Sequence, residues 1–230
     1  MRFARSLLLA VMEDVVARRA RDGVAWLEAS GRAAGDVGAL SVAFADASRR
    51  TGRSALALTA EETDSLRGLG VRWPLGRWAL DDMARAALLV RGGEVLDPPG
   101  LQAAVVAVYG KGDTRERQAV LRALPFLPNP DRFLSIAVEA ARAGMPTLFE
   151  AIACENPYPA AQFPALNFNH MVMRALVSGV ALERIVGLGT RVTPDLVRTA
   201  NDYAGERRAA GRSVPADLDY ITVAARAVAA

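Results

Sequence analysis

Phe168-Asn169-His170-Met171-Val172-Met173-Arg174-Ala175-Leu176 carries apolar side chains at 168, 171, 172, 175 and 176. That spacing is one face of an α-helix, where a strand would alternate side by side. Gly179 then supplies a helix stop. Just upstream lies Ala153-Cys154-Glu155-Asn156-Pro157-Tyr158-Pro159, followed by Phe163-Pro164 and Asn167-Phe168-Asn169-His170. Here polar and proline chemistry is too specific for helix filler. Asn156-Pro157 and Tyr158-Pro159 each push the residue before proline toward extended backbone. The reading is a stiff, non-helical segment, Asn156–Pro164, between two buried helices.

Outward from this stretch, helix signals continue in both directions. Thr147 and Glu150 fit a capping box after Pro146, and Thr193-Pro194 opens a helix reaching about Ala210. Asn129-Pro130 starts a helix with Phe133, Ile136, Ala137 and Ala140 inward. Asp113-Thr114-Arg115-Glu116 is a box-like cap for a helix with Val120, Leu121, Leu124 and Leu127 inside. Residues Leu101–Tyr109 are almost all apolar and read as a buried helix, and Asp97-Pro98-Pro99-Gly100 as a turn. A helix over Arg77–Val90 is expected to end at Arg91-Gly92-Gly93. Thr59 and Glu62 form a further capping box, and Gly68, Gly70, Pro74 and Gly76 break the chain after it. Asp36 caps a helix with Leu40, Phe44 and Ala47 on one face, ended by Gly52. Val24, Trp26 and Leu27 mark a short helix, and Leu7, Leu8, Val11, Met12, Val15 and Val16 a first helix over Arg5–Ala20. Leu182–Gly187 and Pro215–Ala229 complete the set.

The fold class is therefore all-α. The pairs Asp113–Arg142, Thr147–Val177 and Leu182–Ala210 each hold two helices in roughly 30 residues, the size of a helical-repeat unit. The expectation is an irregular right-handed stack of antiparallel helix pairs, HEAT-like, in a single domain over 1–230. The helices of 1–100 would pack on a core spanning 100–220.

Composition bounds the function. Apolar residues are 52% of 230, enough for a core and against disorder. Net charge is +3, and 27 of the 28 basic residues are arginine, Lys111 being the exception. These bases are scattered among 25 acids rather than gathered, so solvated faces are expected and not a nucleic-acid partner. Cys154 is the one cysteine, which excludes an intrachain disulfide and fits a reducing, cytoplasmic setting. The apolar run Leu7–Met12 breaks at Glu13-Asp14, too short for a secretory signal. No stretch reaches membrane-spanning length, so no direct membrane insertion is expected.

Chemistry-bearing residues are few. His170 is alone and fits no metal motif, so neither a metal nor a cofactor is expected. Cys154 ends an apolar helix and reads as a small hydrophobe, with a nucleophile paired to His170 as the sharper alternative. Glu155 sits at a helix C-terminal end, where the dipole disfavours an acid. An arginine partner is therefore expected from Arg174, Arg184 or Arg191. Asn156, Asn167 and Asn169, with nearby arginines, can satisfy loop backbone; alternatively the stiff loop can hold Asn156, Tyr158 and Asn169 around a ligand pocket. Gly187-Leu188-Gly189 is a turn, and Asp81-Asp82 and Asp217–Asp219 read as surface acids.

On Ala153–Pro159, Phe163-Pro164, Phe168-Asn169, Arg184-Ile185-Val186-Gly187-Leu188 and Asp202–Gly211, the sequence resembles the EboA family over roughly 100–220. The resemblance implies a bacterial protein of the ebo gene cluster, associated with secondary metabolism and with moving precursors across the inner membrane. Its implied partners are the other cluster proteins, a prenyltransferase-like membrane protein among them, and a small-molecule metabolite. It carries over no catalytic residue, and His170 stands where the family would have glutamine. The expected function is a non-enzymatic adaptor or small-molecule-binding protein using Glu155, Asn156, Tyr158, Asn169, Arg174, Arg184 and Arg191. The alternative is an enzyme on a prenylated or aromatic metabolite with Glu155 or Cys154 in its site.

Overall fold

The structure is a computed structural model that describes residues 4–32 and 34–229. Met1–Phe3, part of the charged stretch before the apolar run Leu7–Met12, lie outside the described residues. All regular structure described is helical, apart from an isolated antiparallel bridge between Ala55 and Ala79. The chain divides into two compact units, Met1–Ile136 and Ala137–Ala230.

Unit 1 is arranged around one helix. α1 (Arg5–Arg19), α2 (Arg21–Arg32), α3 (Val37–Thr51) and α4 (Ala60–Gly68) precede it. α5 (Leu80–Val95) is the centre, and α6 (Pro98–Lys111) and α7 (Thr114–Ala123) follow. Every residue from Leu80 to Val90 is buried. α5 packs against α1, α2, α3, α6 and α7. Neighbours cover so much of it that even its charged residues Asp81, Asp82 and Arg85 are buried.

Local chemistry accounts for the ends. The Asp36 side chain accepts from Ala39 N–H, and Gly52, at φ 80°, ends α3. Thr59 and Glu62 make the reciprocal capping box of α4, and Asp113 and Glu116 that of α7. Two expectations in this unit are corrected. Gly92-Gly93 does not end α5, which runs on to Val95. A Cβ at Gly93 would stand 2.9 Å from Pro128 Cδ, and one at Gly92 3.3 Å from Leu40 Cδ2. These glycines permit close packing rather than termination. Asp97-Pro98 is not a free turn but the start of α6: Asp97 accepts from Gly100 N–H, and Pro98 takes the first helical position. α6 is a helix as expected, though only one face is buried, and Val106 is exposed.

A 3₁₀ turn at Leu124–Phe126 and another at Pro130–Phe133 lead into α8 (Leu134–Arg142), which crosses the division. Asn129 does not cap there; it adopts φ 48°, the left-handed conformation that asparagine tolerates. In unit 2, α9 (Pro146–Ala153) and α10 (Tyr158–Gln162) precede α11 (Ala165–Ser178). α12 (Leu188–Arg191), α13 (Pro194–Ala209) and α14 (Leu218–Ala229) complete it. On α11 the residues Phe168, Met171, Val172, Ala175 and Leu176 are all buried, and Gly179 closes it at φ 72°. Thr193 caps α13 by accepting from Leu196 N–H. α13 packs against α11 and α14.

Candidate functional site

The singled-out stretch is held by Arg184. α9 ends at Cys154, and Glu155 turns the chain at φ 47°, a left-handed conformation uncommon outside glycine. Glu155 N–H donates to Arg184 O at 2.8 Å. The Arg184 side chain returns the link: Nε donates to Glu155 Oε1 at 2.7 Å and Nη2 to Oε2 at 3.0 Å. Nη1 donates to Glu150 Oε2 at 2.7 Å. A planar guanidinium suits this fork, which fixes direction as well as charge. The bonds that Arg184 donates to the Glu155 carboxylate raise its pKa above the ordinary arginine value. The expected arginine partner of Glu155 is thus Arg184. The Thr147–Glu150 box does not form, because Met145 is the N-cap, Pro146 opens α9, and Glu150 turns to Arg184.

Asn156 is 3% exposed and satisfies backbone on both sides. Its Oδ1 accepts from Tyr158 N–H at 3.0 Å, and its Nδ2 donates to Ala151 O at 3.0 Å. The first bond is an Asx turn, and it launches α10. The expectation of a wholly non-helical Asn156–Pro164 is therefore corrected. Prolines 157 and 159 fall at the entry to a five-residue helix, where a missing N–H loses nothing. Tyr158 is buried and meets the Phe163 ring edge to face at 6.4 Å.

Arg174 and Arg191 serve helix ends. Arg174 donates to Ala141 O in the last turn of α8 and to Ala143 O just beyond it, and lies 4.4 Å over the Phe149 ring. Arg191 donates to Ala160 O and Phe163 O at the end of α10 and lies 4.9 Å over Phe168. Each supplies donors to carbonyls that a helix end leaves open, and adds a cation–π contact. Asn169 Nδ2 donates to Thr193 Oγ1 at 2.8 Å, while its Oδ1 is buried with no hydrogen-bond partner.

The seven residues thus gather as Glu155 with Arg184 beside Asn156 and Tyr158, and separately as Asn169, Arg174 and Arg191 at three other junctions. Arg174 also borders a shallow groove of about 250 Å³ with Val138, Arg142, Asn167, His170 and Met171. His170 is exposed there, whereas Cys154 is buried at the end of α9. Among the described residues no group of three His, Cys, Asp or Glu side chains is placed to hold a metal ion.

Unit 1 corrects one sequence reading and holds a second feature that the sequence did not mark. Asp81 and Asp82 are not surface acids; they are 0% and 3% exposed. Arg85 Nη1 meets Asp81 Oδ2 at 2.6 Å and donates through Nε to Phe44 O at 3.0 Å. Arg115 Nη2 reaches Asp81 Oδ1 at 3.2 Å, and Arg122 Nη1 reaches Asp82 Oδ2 at 2.5 Å. Burial pushes the Asp82 carboxyl up, against the pull of Arg122 and of the Ala79 N–H. The available signal was Asp81 and Arg85 four apart inside an apolar helix. The second feature is a groove of about 450 Å³ beside α4, floored by Leu56, Leu66, Val71, Trp73 and Leu75. It falls within the size range of small-molecule sites. Glycine and proline marked this segment as a break in the sequence but did not mark a cavity.

No described helix is long and apolar enough to cross a membrane. No curated protein and no solved structure matches the chain. A family model does match, over residues 5–222, so the likeness seen over 100–220 extends through the N-terminal hundred residues as well. With that span covering nearly the whole sequence, the chain belongs to the EboA family, described as metabolite traffic protein EboA.

Proposed function

We propose that this chain is a non-enzymatic binding protein of metabolite traffic, holding a small molecule, or a protein that handles one, without transforming it. The use of Glu155 carries the reading. A general acid or base must reach a substrate proton. Both Glu155 oxygens instead meet Arg184, so the carboxylate that an enzyme would need anchors the turn after α11. In this reading Glu155, Asn156, Tyr158, Asn169, Arg174, Arg184 and Arg191 shape a rigid surface rather than a reaction centre.

The recipients are the other proteins of the cluster, including its prenyltransferase-like membrane protein, met from the cytoplasmic side. The proposal also takes the helices as a HEAT-like stack acting as a single domain. Packing of α13 against α11 and α14 supports neighbour-to-neighbour stacking in unit 2. The test is native mass spectrometry of the chain purified gently from a host carrying its gene cluster. A retained small molecule or cluster protein is the expected result. Conversion of a cluster metabolite to a new mass, abolished by Glu155→Gln, overturns it.

A further inference from the structure

We propose that the groove beside α4 in unit 1 is a binding site for a small amphipathic anion: an apolar body on the groove floor, with its acidic group at Arg72. This rests on the binding-protein reading above and adds a place and a ligand class.

The floor is apolar and already formed. Leu56, Leu66, Val71, Trp73 and Leu75 are each 2–7% exposed, so what remains open at each faces the groove. The segment after α4 is tied at both ends. Val71 N–H donates to Leu66 O at 3.0 Å. Leu56 N–H donates to Trp78 O at 2.8 Å, and Leu80 N–H to Ser54 O at 2.9 Å. Trp73 and Trp78 pack on the Phe126 ring at 5.5 and 6.0 Å. A ligand therefore meets a surface that needs little ordering, which favours binding.

The rim sets the charge. Arg67 and Arg72 line the groove, and no acid does. Arg67 is paired with Asp64 at 2.9 Å. Arg72 is exposed and has no ion-pair or hydrogen-bond partner among the described residues. Elsewhere in the chain arginines are repeatedly matched to carboxylates or carbonyls, so an uncompensated one beside an apolar floor selects an anion with an apolar body. A neutral apolar ligand would leave that cation unused, and a small inorganic anion would leave the floor wet.

Gly76 supplies a clean test. It lines the groove, and a Cβ there would meet nothing within 4 Å, so a side chain can be started at the groove wall without displacing packed atoms. The probes are laurate and its neutral isologue dodecanol, each displacing 1-anilinonaphthalene-8-sulfonate from the full chain. Laurate is expected to bind wild type more tightly than dodecanol. Arg72→Gln should weaken laurate roughly fivefold, the order of an exposed ion pair, and leave dodecanol within about twofold. Gly76→Phe should abolish displaceable binding of both while leaving the urea midpoint in place. Laurate binding unchanged in Gly76→Phe, or equal loss of both probes in Arg72→Gln, overturns the site. A metabolite that co-purifies equally with wild type and Gly76→Phe overturns this site while leaving the binding-protein reading intact.

Discussion

Arg184 carries three hydrogen bonds to two glutamates from a position 17% exposed. Replacing it by Gln leaves Glu155 and Glu150 partly desolvated without their cation, and should destabilise the chain by about 2 kcal/mol, read from the urea midpoint. Arg184→Lys should recover less than half, since an ammonium cannot serve both oxygens of Glu155 in one plane. Glu62 gives a prediction in pH. Its bond from Arg19 holds its pKa below the ordinary glutamate value of 4.5, despite burial. A depressed folded pKa stabilises fully above the unfolded value and is lost as pH falls through the folded one. The stability gap between wild type and Glu62→Gln should thus be widest at neutral pH and narrow below about 4.5. A gap constant with pH would show that the ion pair is not the source.

At the scale of elements, two glycines inside helices make a matched pair. Gly205 lies in α13 with open space around a prospective Cβ, so Gly205→Ala should stabilise by about 0.5–1 kcal/mol through helix propensity. Gly93 in α5 has the same propensity to gain, but its Cβ would meet Pro128 at 2.9 Å. A proline ring cannot swing away, so Gly93→Ala should destabilise, by about 1–3 kcal/mol, in the same urea assay. The same contrast explains what could be read in advance. Caps at Asp36, Thr59, Asp113 and Thr193 were legible because partner and donor lie three residues apart. Gly92-Gly93 looked like a stop because the ring that needs the space is 35 residues away in the chain. Asp81 and Asp82 looked like surface acids because Arg115 and Arg122 come from α7. In the singled-out stretch the Glu155–arginine pair was foreseeable from the helix dipole, but which arginine was a matter of tertiary placement.

At the scale of the whole molecule, one buried ion pair and one calorimetric test bear on how it holds together. The core of unit 1 encloses Asp81 and Arg85, a pair 0% and 3% exposed at the side chain. Arg85→Met should cost about 3–5 kcal/mol by leaving buried Asp81 only its longer contact with the half-buried Arg115, whereas joining it to Asp81→Leu should return much of that loss, since Arg115 can then turn to water. Calorimetry of the full chain tests the single-domain proposal: one transition with matching calorimetric and van't Hoff enthalpies is expected, and two resolved transitions would overturn it. Arg85, Arg174 and Arg191 hold backbone carbonyls, and Arg184 two glutamates, with a fork that lysine lacks, and Lys111 is the one lysine in 230 residues. It is exposed in the last turn of α6. Amine-directed dyes or tethers will therefore find one side-chain address, on unit 1, and cross-linkers that need two lysines will find none. Once the chain's α-amine is blocked, a fluorophore placed there turns the chain into a single-point reporter, with no mutation required to install it.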